Sequence, residues 1–266
     1  MCSVEVGQTL EELVEMVPSK PPLAPESAVE RVCRLLARKD YCFLPAHQTG
    51  ALLSSVQADA FADWPAFHAS WDDLPVDQYM ADGGQYRKRR HTMLSAQPSS
   101  RRFSVQPHQP HFQSLNYNSL TGGLVRHFEP MAPAILAGAT FNAFVTLGCE
   151  IFGRLSPYSP WHIEAHQFRI ESQGGQIGKP TPEGMHRDGV SFVMMAVIRR
   201  TNMRDGATTV YDTERVLLDE FTLQQPLDMA IVNDERTFHN VTPIVQLDSD
   251  QPAVRDALVL TFRHKD

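Results

Sequence analysis

The apolar positions change period part-way along the chain. In the first half they recur at helical spacing: Val29, Val32, Cys33, Leu35 and Leu36 form one stripe, and Ser27 and Glu30 stand at capping-box distance before it, which predicts a helix ending near Lys39. Tyr41-Cys42-Phe43-Leu44 reads as a short strand closed by Pro45, and a second helix is expected over Thr49 to Asp63, with Trp64, Phe67 and Trp71 as core anchors. A long helix is expected from about Pro130 to Leu155. There Leu136, Phe141, Phe144, Val145 and Leu147, with Ile151 and Phe152, fall within half of the helical circumference. The stretch Met131 to Cys149 is uncharged, but Pro133, Thr140, Asn142, Thr146 and Gly148 dilute it, so it reads as a buried or amphipathic helix and not as a membrane span. Beyond it helical periodicity is mostly lost. His162 to Ile170, Gly184 to Ile198, Ala207 to Asp212, Met229 to Asn233, Thr237 to Val245 and Asp256 to Arg263 are rich in β-branched and aromatic residues and are separated by Gly, Pro, Asn or Asp, as strands are.

A helical first half followed by a β-rich second half, with no β-α repeat, predicts a mainly β fold with helical support (α+β) around a double-stranded β-helix, the jelly-roll or cupin-like core. Residues 1–25, ending in a proline-rich run from Pro18 to Pro25, read as an N-terminal arm, and 26–266 as a single domain of this kind.

Composition narrows the partners. With 24 Lys and Arg against 31 Asp and Glu, net charge −7 and pI near 5.9, the chain lacks the clustered basic surface of a nucleic-acid binder. The run Arg87-Lys88-Arg89-Arg90-His91 is a local exception, read as a solvated or anion-facing loop. Cys2, Cys33, Cys42 and Cys149 are widely spaced, which predicts reduced thiols, no zinc knuckle and no disulfide framework. No secretory signal is read in Met1 to Lys20, so a cytoplasmic protein is expected. The sequence leaves the oligomeric state open, a homo-oligomer included.

The stretch Gly184-Met185-His186-Arg187-Asp188-Gly189 carries the candidate chemistry. In an extended strand His186 and Asp188 would share a face, with Arg187 on the other. His239, in Thr237-Phe238-His239-Asn240-Val241, is the later histidine in a similar setting, and two histidines with one carboxylate make the facial set that suits non-haem Fe(II). From Arg255 the last strand alternates so that Arg255 and Arg263 share parity. A guanidinium there, Arg255 being nearer the strand end expected beside His239, could hold a dicarboxylic co-substrate by two hydrogen bonds. His162 and His166 have the spacing of a helical metal pair, but Trp161 to Ile170 alternates like a strand and so would place His162, Glu164 and His166 on one face. The glycine-bearing stretches 82–90 and 113–126 are expected as polar loops.

The chain resembles the Fe(II)- and 2-oxoglutarate-dependent dioxygenases of the L-isoleucine dioxygenase type, which hydroxylate free L-amino acids. The resemblance runs from about Asp82 to Phe262. It rests on Asp82-Gly83-Gly84-x-Tyr86-Arg87-x-Arg89-Arg90, Gly122-Gly123-x-x-Arg126-x-Phe128-x-Pro130, Glu164-x-His166-Gln167-x-Arg169, Pro182-Glu183-Gly184-x-His186-Arg187-Asp188-Gly189, His239-Asn240-Val241-Thr242-Pro243 and Arg255-Asp256. At Arg204-Asp205-Gly206-Ala207, where a paired glycine turn is expected, the chain departs from the pattern. The resemblance implies His186, Asp188 and His239 as iron ligands and Arg255 as the 2-oxoglutarate anchor. O2 would be the oxidant, succinate and CO2 would be released, and ascorbate would serve as the assay reductant. A free amino acid would need a cation for its carboxylate, with Arg126, Arg89 and Tyr86 as candidates, and an anion for its ammonium group, with Glu164 or Asp82. The alternatives are the same chemistry on a peptide- or carrier-bound residue or another small metabolite, and a non-catalytic metal-binding jelly roll.

Overall fold

The structure, a computed structural model, describes residues 26–117, 120 and 122–265, so the arm expected over 1–25 lies outside the described residues. Helix α1 (Ala28–Lys39) begins at the expected capping box, where Ser27 Oγ accepts from Glu30 N at 3.2 Å and Glu30 Oε2 accepts from Ser27 N at 2.8 Å. It buries Val29, Val32 and Leu36 and ends on Asp40 in the left-handed region. Strand β1 (Tyr41–Leu44) and helices α2 (Ala46–Val56) and α3 (Trp64–Ala69) follow. The single helix expected over 49–63 therefore starts earlier and stops at Val56, and residues 57–63 turn. Within that turn the Asp63 carboxylate reaches across to accept from Thr140 N at 2.8 Å and Thr140 Oγ1 at 2.7 Å. This also explains why the long helix expected from Pro130 is two: α4 (Pro133–Leu136) and α5 (Ala139–Leu155) part at Gly138, where a Cβ would overlap the Asp63 carboxylate that caps α5 from outside.

Strands β2 (Arg87–Ala96), β3 (Phe103–Val105), β4 (His111–Phe112), β5 (Val125–Arg126), β6 (Trp161–Ser172), β7 (Phe192–Thr201), β8 (Met203–Asp205), β9 (Thr208–Tyr211), β10 (Leu217–Phe221), β11 (Met229–Asn233), β12 (Phe238–Val241), β13 (Ile244–Gln246) and β14 (Ala253–His264) complete the chain. The principal sheet has the antiparallel order β1-β11-β7-β14-β6-β2-β3, and β10-β9-β12 form a smaller sheet. β14 runs along β6 from Ala253↔Ser172 to His264↔Trp161 and along β7 from Val254↔Thr201 to Phe262↔Phe192, with a bulge between Asp256 and Ala257. Two expectations are corrected. The basic segment after the glycine turn at Gly83 is the ten-residue strand β2 and not a loop. The strand expected from Gly184 begins only at Phe192, because Gly184 and Gly189 adopt φ of 77° and 79° and turn the chain.

Alternation divides the principal sheet into two surfaces. Ile163, Ala165, Met194, Ala196, Leu258, Leu260 and Phe262 pack on α1, α2 and α5, in one core with Phe67, Trp71, Phe141, Phe144 and Phe152. The opposite surface carries Arg87, Arg89 and His91 from β2, Glu164 and His166 from β6, and Arg255 from β14, and faces a cavity whose other wall includes His239 and Val241 of the smaller sheet. Among the described residues no helix is long and apolar enough to cross a membrane. Replacing Asp63 with Ala is expected to lower stability by about 1–2 kcal/mol through loss of the α5 cap, read as a lower urea midpoint at unchanged denaturant slope.

Candidate metal centre and the cavity beside it

His186 and His239 are joined at the backbone: each N–H donates to the other residue's carbonyl, at 3.0 Å and 2.9 Å, in an isolated antiparallel bridge. The two segments, far apart in sequence, thus place their imidazoles side by side with ring centroids 4.5 Å apart. Asp188 arrives by a different route from the pleat expected. Its loop is folded around the carboxylate of Asp234, 1% exposed, in the turn between β11 and β12. Asp234 Oδ1 accepts from Asp188 N at 3.0 Å, and Oδ2 accepts from Gly189 N at 2.8 Å and Val190 N at 3.1 Å. The Asp188 carboxylate then lies 3.5 Å from His239 Nε2 and 3.9 Å from His186 Nε2.

One ligand atom from each of His186, Asp188 and His239 falls within a 4.8 Å circle. Cis ligands on bonds of about 2.1 Å stand roughly 3 Å apart, so slight contraction would seat one ion. The tautomer agrees. His186 Nδ1 donates to the Gly184 carbonyl at 2.9 Å, which leaves the Nε2 lone pair facing Asp188. Burial would raise the Asp188 pKa, but the hydrogen bond and charge of His239 and the charge of His186 hold it well below the carboxylate range. Burial would lower the His239 pKa, yet Asp188 and Asp234 raise it. Glu183, which sequence reasoning passed over, brings a further carboxylate oxygen to 3.6 Å from His186 Nε2.

The adjoining cavity has a volume of about 460 Å³, within the size range of small-ligand sites. Arg255 lines it, 3% exposed; among the described residues its guanidinium forms no ion pair, and its hydrogen-bond contact is a 3.5 Å approach to Met195 Sδ. Burial, then the nearby charge of Arg200, push its pKa down to about 10, so it stays cationic at neutral pH. Arg263 also borders the cavity but is exposed.

A second group of side chains gathers on Glu164. His111 Nδ1 donates to it at 2.7 Å, and His91, His162 and His166 Nε2 stand 3.3 Å, 3.3 Å and 3.4 Å from its oxygens. Burial would raise the Glu164 pKa, and these histidines reverse that and lower it far. Arg89 donates to His166 Nδ1 at 2.8 Å, which puts the His166 proton on Nε2 toward Glu164. This cluster therefore reads as a carboxylate satisfied by imidazoles, although four of its members have metal-compatible spacing. Arg126, 1% exposed, donates to Gln113 Oε1 at 2.8 Å, and Gln113 Nε2 donates to Asp188 Oδ1 at 3.2 Å. Arg89, Arg126 and Glu164 thus meet around the cavity, whereas Tyr86 is not part of its lining: it belongs to a buried cluster with Met80 and Ile170 and donates its hydroxyl to Asp82 at 2.9 Å.

A β-rich double-sheet barrel holding two histidines and an aspartate beside a buried arginine defines the class of non-haem iron oxygenases. The chain belongs to the 2OG-Fe dioxygenase family, whose profile matches residues 68–261, and is an enzyme that uses Fe(II), 2-oxoglutarate and O2. It is similar to a 3(1)-hydroxy-L-isoleucine 4-dioxygenase of Pantoea ananatis, 22% identical over 235 residues covering 86% of this chain and 93% of that one. It is also similar to an L-isoleucine-4-hydroxylase of Bacillus thuringiensis, 23% identical over 84% of this chain and 88% of that one. Among solved structures, a bsmA homologue from Methylobium petroleophilum superposes with TM-score 0.78 at 35% identity, covering 91% and 95% of the two chains. The Bacillus thuringiensis IDO structure superposes with TM-score 0.70 at 19% identity, covering 90% and 100%.

The histidines around Glu164 carry a pH signature. Burial holds His91 down to about 4, against about 6.5 for an unfolded histidine, so between those values the unfolded chain binds the extra proton and stability falls as pH is lowered. The metal-free protein is expected to lose melting temperature from pH 6.5 to pH 4, and His91→Gln is expected to flatten part of that slope in thermal scans across the range.

Proposed function

We propose that the protein hydroxylates an unactivated C–H bond of a free L-amino acid, with His186, Asp188 and His239 as iron ligands and Arg255 as the anchor for 2-oxoglutarate. The observation that carries the reading is the company of Arg255, a buried cation that has no anionic partner among the described residues, inside the cavity that also holds the three metal-compatible side chains. Bound Fe(II), with 2-oxoglutarate and O2, supplies the oxidising power for C–H hydroxylation coupled to decarboxylation to succinate and CO2. The chain's own residues do the positioning. His186 keeps its proton on Nδ1 through the Gly184 carbonyl, so Nε2 is the free donor. The Arg255 fork suits a carboxylate gripped by two parallel hydrogen bonds. Val193, Met195 and Val259 give the cavity an apolar flank that excludes water from the reacting carbon.

For the amino acid, Arg126 and Arg89 are the cations proposed for the carboxylate, and Glu164, held ionised by its histidines, for the ammonium group. Tyr86 is the weaker candidate for the carboxylate and Asp82 for the ammonium group, since the Tyr86 hydroxyl donates to Asp82. The substrates for which the two relatives are named, L-isoleucine and its hydroxylated derivative, favour a small aliphatic amino acid over a peptide- or carrier-bound residue. Among the described residues Cys33, Cys42 and Cys149 are free thiols, which suits a cytoplasmic setting.

The test is succinate release from 2-oxoglutarate with Fe(II), ascorbate and a panel of free amino acids, with mass detection of a product that gains one oxygen atom. His186→Ala is expected to abolish both metal binding and turnover; full activity in that variant would remove the ligand set. Arg255→Gln is expected to raise the KM for 2-oxoglutarate roughly 10- to 100-fold while changing that for the amino acid much less, the loss of one charge-assisted pair. An unchanged 2-oxoglutarate KM would move the anchor elsewhere.

A further inference from the structure

We propose that Asp234 is a positioning residue for the metal, linking the turn that aims Asp188 to the proton that fixes His239. The inference rests on the ligand set proposed above and concerns how that set is held. His239 is 3% exposed, with Nε2 turned toward Asp188 at 3.5 Å and Nδ1 toward Asp234 Oδ1 at 3.7 Å. Among the described residues Nδ1 has no hydrogen-bond partner. A neutral imidazole has one proton, so ligation through Nε2 places it on Nδ1, where a buried N–H without an acceptor is costly. The carboxylate facing that nitrogen is already pinned by three backbone N–H groups, and a shift of under an ångström closes the hydrogen bond.

The other side of the carboxylate makes the arrangement more than a tautomer lock. The oxygen facing His239 also accepts from Asp188 N, so one atom registers both metal-binding side chains. His186 is served differently, through the neutral Gly184 carbonyl. A carboxylate acceptor makes an imidazole the stronger donor ligand, so the two histidines are inequivalent by construction. Among the described residues Asp234 has no Lys or Arg partner, so its carboxylate is held by the Asp188, Gly189 and Val190 amides and faces His239 Nδ1.

The experiment uses full-length metal-free protein and Co(II) in place of Fe(II). Calorimetric titration of the wild type is expected to give one equivalent, lost in His239→Ala, and Asp234→Asn is expected to bind roughly 10- to 100-fold more weakly. Proton NMR of the Co(II)-loaded wild type is expected to show two shifted, slowly exchanging imidazole N–H signals. In Asp234→Asn the His239 signal moves or exchanges away, and the His186 signal stays, a selectivity that a general loss of fold would not produce. Unchanged Co(II) affinity and unchanged signals in Asp234→Asn would overturn the proposal. If that variant fails to fold, the wild type decides alone: rapid solvent exchange of the His239 N–H overturns it and slow exchange upholds it. Wild-type binding that survives His239→Ala unchanged would instead overturn the ligand set itself, a result distinguishable from failure of the Asp234 role.

Discussion

Charge buried in an enclosed cavity must be matched, and this constraint organises the molecule. One surface of the principal sheet carries Arg87, Arg89, His91, Glu164, His166 and Arg255 where a β sandwich would ordinarily place hydrocarbon. Most of these charges are answered within the chain: Arg87 by Asp77 at 2.7 Å, Arg89 by His166 and by the faces of Phe128 and Phe168, Glu164 by its histidines. Among the described residues the contact given for Arg255 is the Met195 thioether. Pairing within the fold thus sets Arg255 apart from the charges beside it.

The same constraint explains the division of labour between the sheet's two surfaces. The helix-facing side is largely apolar, and its buried polar side chains include Asp256, beside Arg169 at 2.7 Å and Arg199 at 3.3 Å, and Gln167, whose Nε2 donates to Ser70 Oγ at 2.7 Å. Because that side supplies the hydrophobic stabilisation, the cavity side is free to carry polar groups that add little to it. Large aromatic side chains on α5 and β14, with Phe152 and Phe262 4.7 Å apart, fix the strands from behind, so the cavity wall does not depend on its own packing.

Much of this was legible in the residues. The capping box at Ser27 and Glu30 and the alternation of β14 that puts Arg255 and Arg263 on one side follow from local chemistry and period, whereas the backbone pairing of His186 with His239 joins segments far apart in sequence and only the fold shows it. Strand β2 was hidden because its inward positions are Arg87, Arg89 and His91, so hydrophobic alternation, the usual mark of a strand, is absent. The apolar run Val190 to Ile198 suggested extended chain as far back as Gly184, but a partner outside the segment overrides that tendency by capturing three successive amides. Asp234 itself sits in Asn233-Asp234-Glu235-Arg236, a sequence that looks like any solvated turn; only the fold shows that its second residue is interior. The break at Gly138 likewise depends on Asp63, too distant in sequence for any local rule to find.

The reciprocal amide pair between residues 186 and 239 also bears on metal affinity. It ties the loop that carries His186 to strand β12 of the smaller sheet, two segments that meet only through tertiary structure. Under the proposed ligand set, affinity for a divalent ion is therefore a property of the assembled sheets and not of either segment alone.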